Sequence, residues 1–168
     1  MDVHPAALTI ERLLEDCVMD LTRRGGPGGQ HRNKVESAVV LTHLPSSVTG
    51  QASERRSQHE NRKMAIHRLR LNLAVGVRSC IGLDGQPSVL WRARVRSRKI
   101  SVSVDHLDFP ALLSEALDAL QAMEWEVAVA SERLGISSSQ LVKLLKVYPP
   151  AFQKCNEARQ ASGKNRLN

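Results

Sequence analysis

The pattern of hydrophobic and polar positions separates a strand-forming first half from a helical last third. Residues 17–22 and 37–44 are apolar and rich in β-branched side chains, which predicts two strands. Residues 48–52 follow a turn at 45–47 and predict a short return strand, so residues 37–52 indicate a hairpin. A short helix is predicted over residues 6–15. The expected fold is α+β, with a small mixed or antiparallel sheet.

The clearest helix begins after Ser57. Ser57 and Glu60 have the spacing of a capping box, and Ile66, Leu69 and Leu73 then repeat at helical intervals. This pattern predicts a helix to about residue 73 that packs on the sheet. Its opposite face is predicted to carry four cations: Arg62, Lys63, Arg68 and Arg70. No acidic residue follows Glu60 within the helix, so internal ion pairs do not account for this charge.

Residues from Pro110 onward predict only helices. The first has an apolar stripe at Leu113, Ala116, Leu117 and Leu120, the second covers about 125–134, the third follows the Ser137 cap and ends at Tyr148, and the last covers about 151–161. Gly135 would end one helix and Ser137 would cap the next, which is the spacing of a helix-turn-helix. Its second helix offers only two cations, Lys143 and Lys146. A packing or partner-docking role is therefore favoured over sequence-specific DNA binding.

Residues 76–104 are harder to interpret. Cations alternate with other side chains over residues 91–99, which predicts an extended segment that serves either as an RNA-contacting arm or as a linker. The expected organisation is a first domain at 1–75, a basic connecting arm at 76–104 and an all-α, helix-turn-helix-like unit at 105–168.

The charge is concentrated in the middle of the chain. Residues 23–104 hold 16 Lys and Arg against 4 Asp and Glu, whereas residues 105–168 hold 7 against 8 and residues 1–22 hold 1 against 5. Cations confined to one region favour a polyanionic partner there, most naturally a nucleic acid.

Other features exclude several classes of protein. The chain has no long apolar run and no signal-peptide pattern at its start, so neither a membrane partner nor export is expected. Cys17, Cys80 and Cys155 are far apart, and the six histidines are scattered, so no disulfide framework, metal site or cofactor is expected. We expect a cytoplasmic monomer.

The most unusual segment is a cationic, glycine-rich loop. Residues 25–30 contain four glycines and one proline and end on Gln30, with arginines on both sides. Glycine pairs let the backbone approach another molecule closely. The composition therefore indicates a backbone presented to a negatively charged partner.

Three blocks of sequence resemble the catalytic domain of class I peptide chain release factors. They are residues 26–39, residues 42–45 and residues 54–62, and the resemblance extends over about residues 17–73. It implies that the glycine loop enters the ribosomal peptidyl transferase centre and triggers hydrolysis of the ester between peptide and tRNA.

The resemblance also assigns roles to residues. The backbone N–H of Gln30 would stabilise the oxyanion, its side chain would exclude competing nucleophiles, and Gly28 and Gly29 would permit the geometry. Gln30 would be a site of N5-methylation by a glutamine methyltransferase. The cations expected to contact ribosomal RNA are Arg23, Arg24, Arg32, Lys34, Arg55, Arg56, Arg62 and Lys63.

Two departures from the family narrow the expected role. Only about twenty residues precede the loop and no stop-codon tripeptide is evident, so codon reading is not expected. The Lys/Arg-rich tail of small rescue hydrolases is also missing, with a helical unit in its place. We expect a ribosome-dependent peptidyl-tRNA hydrolase that releases nascent chains without a codon. The alternative is a non-catalytic RNA-binding or regulatory protein that reuses the fold and reads nucleic acid with its C-terminal unit.

Overall fold

A three-stranded sheet packs on one long helix and is followed by a group of shorter helices in the computed structural model, which describes residues 3–22, 37–79 and 86–168. The strands are β1 (Cys17–Thr22), β2 (Ala38–His43) and β3 (Val48–Ala52). The helices are α1 (Ile10–Glu15), α2 (Gln58–Gly76), α3 (Val89–Arg94), α4 (Phe109–Ala122), α5 (Val127–Arg133), α6 (Ser138–Val147) and α7 (Pro149–Ala161). The expected α+β fold is confirmed, and its sheet is antiparallel.

The sheet has the order β1-β2-β3, so each strand pairs with its neighbour in sequence. In the central strand β2, Val39 and Leu41 are fully buried because their face of the sheet lies against α2. Strand β1 is mostly exposed, and Val18 and Met19 have more than 40% of their surface accessible. Strand β1 is therefore the exposed edge of the sheet, whereas β2 is its buried central strand.

Helix α2 lies unusually close to strand β3. A Cβ atom added to Gly50 would lie 2.4 Å from the backbone nitrogen of Leu69 and 2.5 Å from the carbonyl oxygen of Ala65. Only glycine permits this approach, which places the helix directly on the sheet. The hydroxyl of Ser57 accepts a hydrogen bond from the Glu60 N–H (3.3 Å), as the capping pattern predicts. The helix ends at Gly76, three residues later than expected.

Residues 91–99 do not form the extended segment that their alternation predicts. Residues 89–94 form α3 instead, and Trp91 is completely buried, with its indole N–H donating to the Leu134 carbonyl (2.8 Å). Burial of one large aromatic side chain outweighs the charge alternation on either side of it. After α3 the chain makes a tight hairpin at Arg96–Lys99, and Ile100 returns to the core.

The C-terminal helices follow the predicted pattern closely. Leu113, Leu117 and Leu120 on α4 are fully buried. Gly135 has a positive φ of 68°, as expected of a residue that ends a helix, and the Ser137 hydroxyl caps α6 by accepting the Gln140 N–H (3.3 Å). Helix α7 begins at Pro149 rather than at residue 151, because proline suits the first position of a helix.

One hydrophobic core joins all parts of the described chain. Its buried members run from Ala6 and Leu13 through the sheet, Trp91 and Ile100 to Cys155. The division of the chain at residues 75 and 104 stays a prediction. Among the described helices, none combines the length and apolar character that crossing a bilayer requires.

Candidate functional site

The predicted catalytic loop joins two strands that pair at their loop ends. Thr22, the last residue of β1, is the pairing partner of Ala38, the first residue of β2. Paired residues of this kind have Cα atoms about 5 Å apart, so both stems of the loop leave one corner of the sheet. Seven predicted site residues lie in the loop, outside the described residues: Arg23, Arg24, Gly28, Gly29, Gln30, Arg32 and Lys34.

Buried Asn61 fixes the base of this corner. Its side-chain amide donates to the carbonyl of Ser37 (2.6 Å) and to that of Arg55 (2.9 Å), and its oxygen accepts the N–H of Arg55 (2.9 Å). The amide thus uses both donors and binds two separate segments of backbone. Ser37 immediately precedes β2, so Asn61 ties the loop stem to the segment before α2.

Sequence reasoning missed the role of Asn61. The residue lies on the α2 face of Ala65 and Leu69, at intervals of four, and all three are buried. The position of Asn61 on an otherwise apolar helical face was visible in the sequence. An amide buried there must form hydrogen bonds, which could have indicated a structural role.

Asn61→Ala is expected to lower the free energy of unfolding by about 2 kcal/mol, because two carbonyls and one N–H lose their partner. Chemical denaturation measures the change. Asn72→Ala on the same helix is the matched control, since the Asn72 amide donates to the Thr49 carbonyl (2.7 Å) from an exposed position. Equal losses in both variants would contradict the role given to Asn61.

The four predicted RNA contacts in the described residues surround the start of α2. Arg55 and Arg56 precede its cap, and Arg62 and Lys63 lie in its second turn. All four side chains are exposed, and no carboxylate of the described chain forms an ion pair with them. Through Asn61, the backbone of Arg55 is held beside the loop stem. Their contact with RNA stays a prediction.

Two other cations of α2 are already bound within the protein. Arg68 donates to the carbonyl of Gln51 (2.8 Å) and to the carboxylate of Glu54 (2.7 Å), and this bond holds the pKa of Glu54 below its usual value. Arg70 is 7% exposed and donates to the carbonyls of Ala6 and Leu107. The expectation that Arg70 lies on the charged outer face was wrong. Burial lowers its pKa, yet a guanidinium remains charged.

A cavity elsewhere in the protein does not resemble a catalytic site. It has a volume of about 370 Å³, lies between the start of the chain and α4, and is lined mainly by apolar side chains. Its Glu115 carboxylate accepts the N–H and the hydroxyl of Ser88, and burial raises its pKa. These bonds hold Ser88, whose hydroxyl caps α3. The half-buried position of the Glu115 carboxylate is therefore explained by its role in holding the cap of α3.

The described residues contain neither a group of metal ligands nor, at Cys155, a reactive thiol. Cys155 is fully buried, and burial raises the pKa of its thiol to about 11, which keeps it protonated and unreactive. No three His, Cys, Asp or Glu side chains within residues 3–22, 37–79 and 86–168 are grouped to hold a metal ion. The described part of the site consists of two paired strand ends and, near them, exposed cations at the start of α2.

Comparison with known proteins identifies the first part of the chain. The RF-1 domain family matches residues 7–81. The chain is 46% identical over 65 residues to peptide chain release factor 1 of Symbiobacterium thermophilum, which is 39% of this chain and 18% of that protein. It is 48% identical over 59 residues to that of Dictyoglomus thermophilum, or 35% and 16%. It is 50% identical over 64 residues to that of Chloroherpeton thalassium, or 38% and 18%.

The similarity covers a small part of each relative. The aligned residues make up less than a fifth of the length of these relatives. The region that matches the RF-1 domain family ends before α3. It includes the sheet and α2, and so the part of the fold that carries the loop stems, Gly50 and Asn61.

Proposed function

We propose that the chain, whose residues 7–81 match the RF-1 domain family and peptide chain release factor 1 of several bacteria, hydrolyses the ester of peptidyl-tRNA on the ribosome. The observation that carries the proposal is the Gly28-Gly29-Gln30 sequence between two paired strand ends. The exposed cations around the start of α2 support it, since RNA surrounds the proposed substrate.

The proposed chemistry needs few groups from the protein. Water attacks the ester carbonyl carbon, an oxyanion forms, and its collapse breaks the bond to the tRNA oxygen. One proton of the water passes to that oxygen and the other to solvent, which gives a free tRNA hydroxyl and a peptide carboxylate. Donors aimed at the developing oxyanion stabilise this transition state strongly. The backbone N–H of Gln30 would be such a donor, and its side chain would restrict which nucleophile enters. Gly28 and Gly29 would allow the backbone to turn the N–H inward.

We further propose that release is independent of the codon and rescues stalled ribosomes. The region similar to release factors covers residues 7–81, and the following residues form helices α3–α7 that pack on it. Nothing in this helical part resembles a stop-codon tripeptide. The partners would be the ribosomal large-subunit RNA, peptidyl-tRNA and a glutamine methyltransferase that modifies Gln30. The protein would act as a cytoplasmic monomer.

Peptide release from purified ribosomes tests this directly. Ribosomes that hold labelled peptidyl-tRNA are prepared with a sense codon, a stop codon or no mRNA in the A site. We expect release at least in the third state and no dependence on a stop codon. Release only at stop codons would overturn the rescue role and leave catalysis standing. No release in any state, with ribosomes still bound, would favour the non-catalytic RNA-binding alternative.

Removal of the four exposed cations is expected to weaken ribosome binding and its dependence on salt. Each cation that meets a phosphate contributes roughly 0.7–0.9 to the slope of log affinity against log salt concentration. The combined Ala variant of Arg55, Arg56, Arg62 and Lys63 should therefore lower the slope by up to about 3. Sedimentation at several salt concentrations measures it. Lys154→Ala, an exposed cation on α7, is the control, and an unchanged slope in the quadruple variant would contradict these contacts.

A further inference from the structure

The hairpin at Arg96–Lys99 has a strained backbone. Arg96 and Lys99 exchange two backbone hydrogen bonds (2.9 and 2.8 Å), so Ser97 and Arg98 are the two central turn residues. Both have positive φ angles, 47° and 61°, which is the pattern of a type I′ turn. Such turns favour Asn and Gly at these positions, because other residues lose stability there. Ser97 and Arg98 are therefore not the residues that would make this turn most stable.

The turn is held firmly on the C-terminal helices. The Ser137 N–H donates to the carbonyl of Arg98 (3.2 Å), beside the start of α6. Trp91 anchors the chain before the turn, and buried Ile100 anchors it afterwards. The attachment is made by backbone atoms and apolar side chains, and a glycine at position 98 could supply the same carbonyl. The Arg98 guanidinium adds only a long hydrogen bond (3.4 Å) to the Ile136 carbonyl.

The turn also brings like charges together. Arg96 and Lys99 lie directly opposite each other, an arrangement that destabilises a hairpin. Arg92, Arg96, Arg98 and Lys99 are exposed, and no ion pair joins any of them to a carboxylate within the described chain. Their neighbour Arg94 differs, since it is paired with Asp108. An anion from outside the protein would relieve this repulsion.

The strain at another corner has an internal explanation. Glu124 and Trp125 also have positive φ angles, at the end of α4. There the Trp125 N–H binds the Leu120 carbonyl (2.6 Å) and the Trp125 carbonyl accepts from Arg159, so the corner closes the helix. In the Arg96–Lys99 turn, by contrast, the exposed side chains of Arg96 and Lys99 bind no other helix or strand of the described chain.

We propose that the Arg96–Lys99 turn is a second RNA-binding element, distinct in sequence from the glycine loop, which binds the phosphate backbone of ribosomal RNA. The choice of ribosomal RNA as the partner rests on the proposed function. Phosphate oxygens are acceptors to which arginine and lysine side chains form strong, charge-assisted hydrogen bonds. The turn thus helps to hold the protein on the ribosome.

The test pairs binding with stability in the full-length chain. Arg96→Gln with Lys99→Gln is expected to weaken binding to purified ribosomes about tenfold or more and to lower the salt slope by roughly 1.5. The thermal midpoint should stay the same or rise, because the like charges are gone. Arg98→Gly should also raise the midpoint while weakening binding. Ser97→Gly is the matched control, which should raise the midpoint and leave binding unchanged.

The kinetics distinguish this proposal from the proposed function. The double variant should need more protein for half-maximal peptide release and reach the wild-type rate at saturation. Wild-type binding and release by a folded double variant would overturn the turn's role and leave the hydrolase intact. Turn-dependent ribosome binding by a chain that releases no peptide would overturn the hydrolase and keep the turn. An equal loss of affinity in Lys154→Ala would show that any surface cation suffices, and would overturn the proposal.

Discussion

Gln30→Pro is expected to lower the rate of peptide release by about 10²–10³-fold, the usual effect of losing one oxyanion donor. Proline has no backbone N–H, so the variant removes the proposed donor itself. Ribosome binding should be nearly unchanged, because the exposed cations remain. Single-turnover release at saturating protein measures the chemical step apart from binding.

Two further variants separate the backbone from the side chain. Gln30→Ala keeps the N–H, so it should retain more hydrolysis than Gln30→Pro while accepting other nucleophiles, such as hydroxylamine, more readily. Gly28→Ala should reduce the rate by restricting the backbone conformation. If Gln30→Ala and Gln30→Pro lost release equally, the side chain rather than the N–H would carry the chemistry. Full activity in all three variants would contradict a catalytic loop.

Gly50→Ala is expected to destabilise the fold by about 3 kcal/mol or more, at the upper end of overpacking effects. The added Cβ would lie within 2.6 Å of three backbone atoms of α2, which cannot move as a flexible side chain could. The helix must shift away from β3, and the shift would displace Asn61 and the loop stem with it. Denaturant unfolding measures the loss, and peptide release should fall in parallel.

Gly76→Ala is the matched control for this substitution. Its Cβ would meet the nearest atom, in the Val48 side chain, at 3.6 Å, an ordinary contact. Gly76 is the last residue of α2, where alanine is the better helix former, so this variant should be neutral or slightly more stable. A similar loss in both variants would show that the loss of glycine flexibility, rather than the close packing, is responsible.

The fold of the first half could be predicted largely from local signals. Strands Cys17–Thr22 and Val48–Ala52 have the expected bounds, because short runs of alternating or β-branched residues end at clear turns. The Ser57 and Ser137 caps were equally local and are confirmed by their hydrogen bonds. The extended segment at 91–99 was wrong because Trp91 binds the distant Leu134 carbonyl, which no local pattern contains.

The candidate site was predictable in part. The glycine loop and its flanking cations were found from composition and family resemblance, and the RF-1 domain match supports the family. The apolar periodicity places Asn61 on a buried face, but neither its partners nor the burial of Arg70 could be read from the helix alone. Each is buried because it satisfies carbonyls that lie 24 to 64 residues away in sequence. Partners of that kind depend on the tertiary fold rather than on local periodicity.

Arg70 has a consequence for the order in which the protein matures during synthesis. Its guanidinium reaches back to the Ala6 carbonyl and forward to the Leu107 carbonyl (2.8 Å). When only the sheet and α2 of a nascent chain have left the ribosome, the Arg70 guanidinium therefore still lacks the Leu107 carbonyl as an acceptor. Arg70 completes its internal hydrogen bonds only when residue 107 has left the ribosomal tunnel. Helix α2 can therefore form all of its contacts only after the segment between α3 and α4 has been translated.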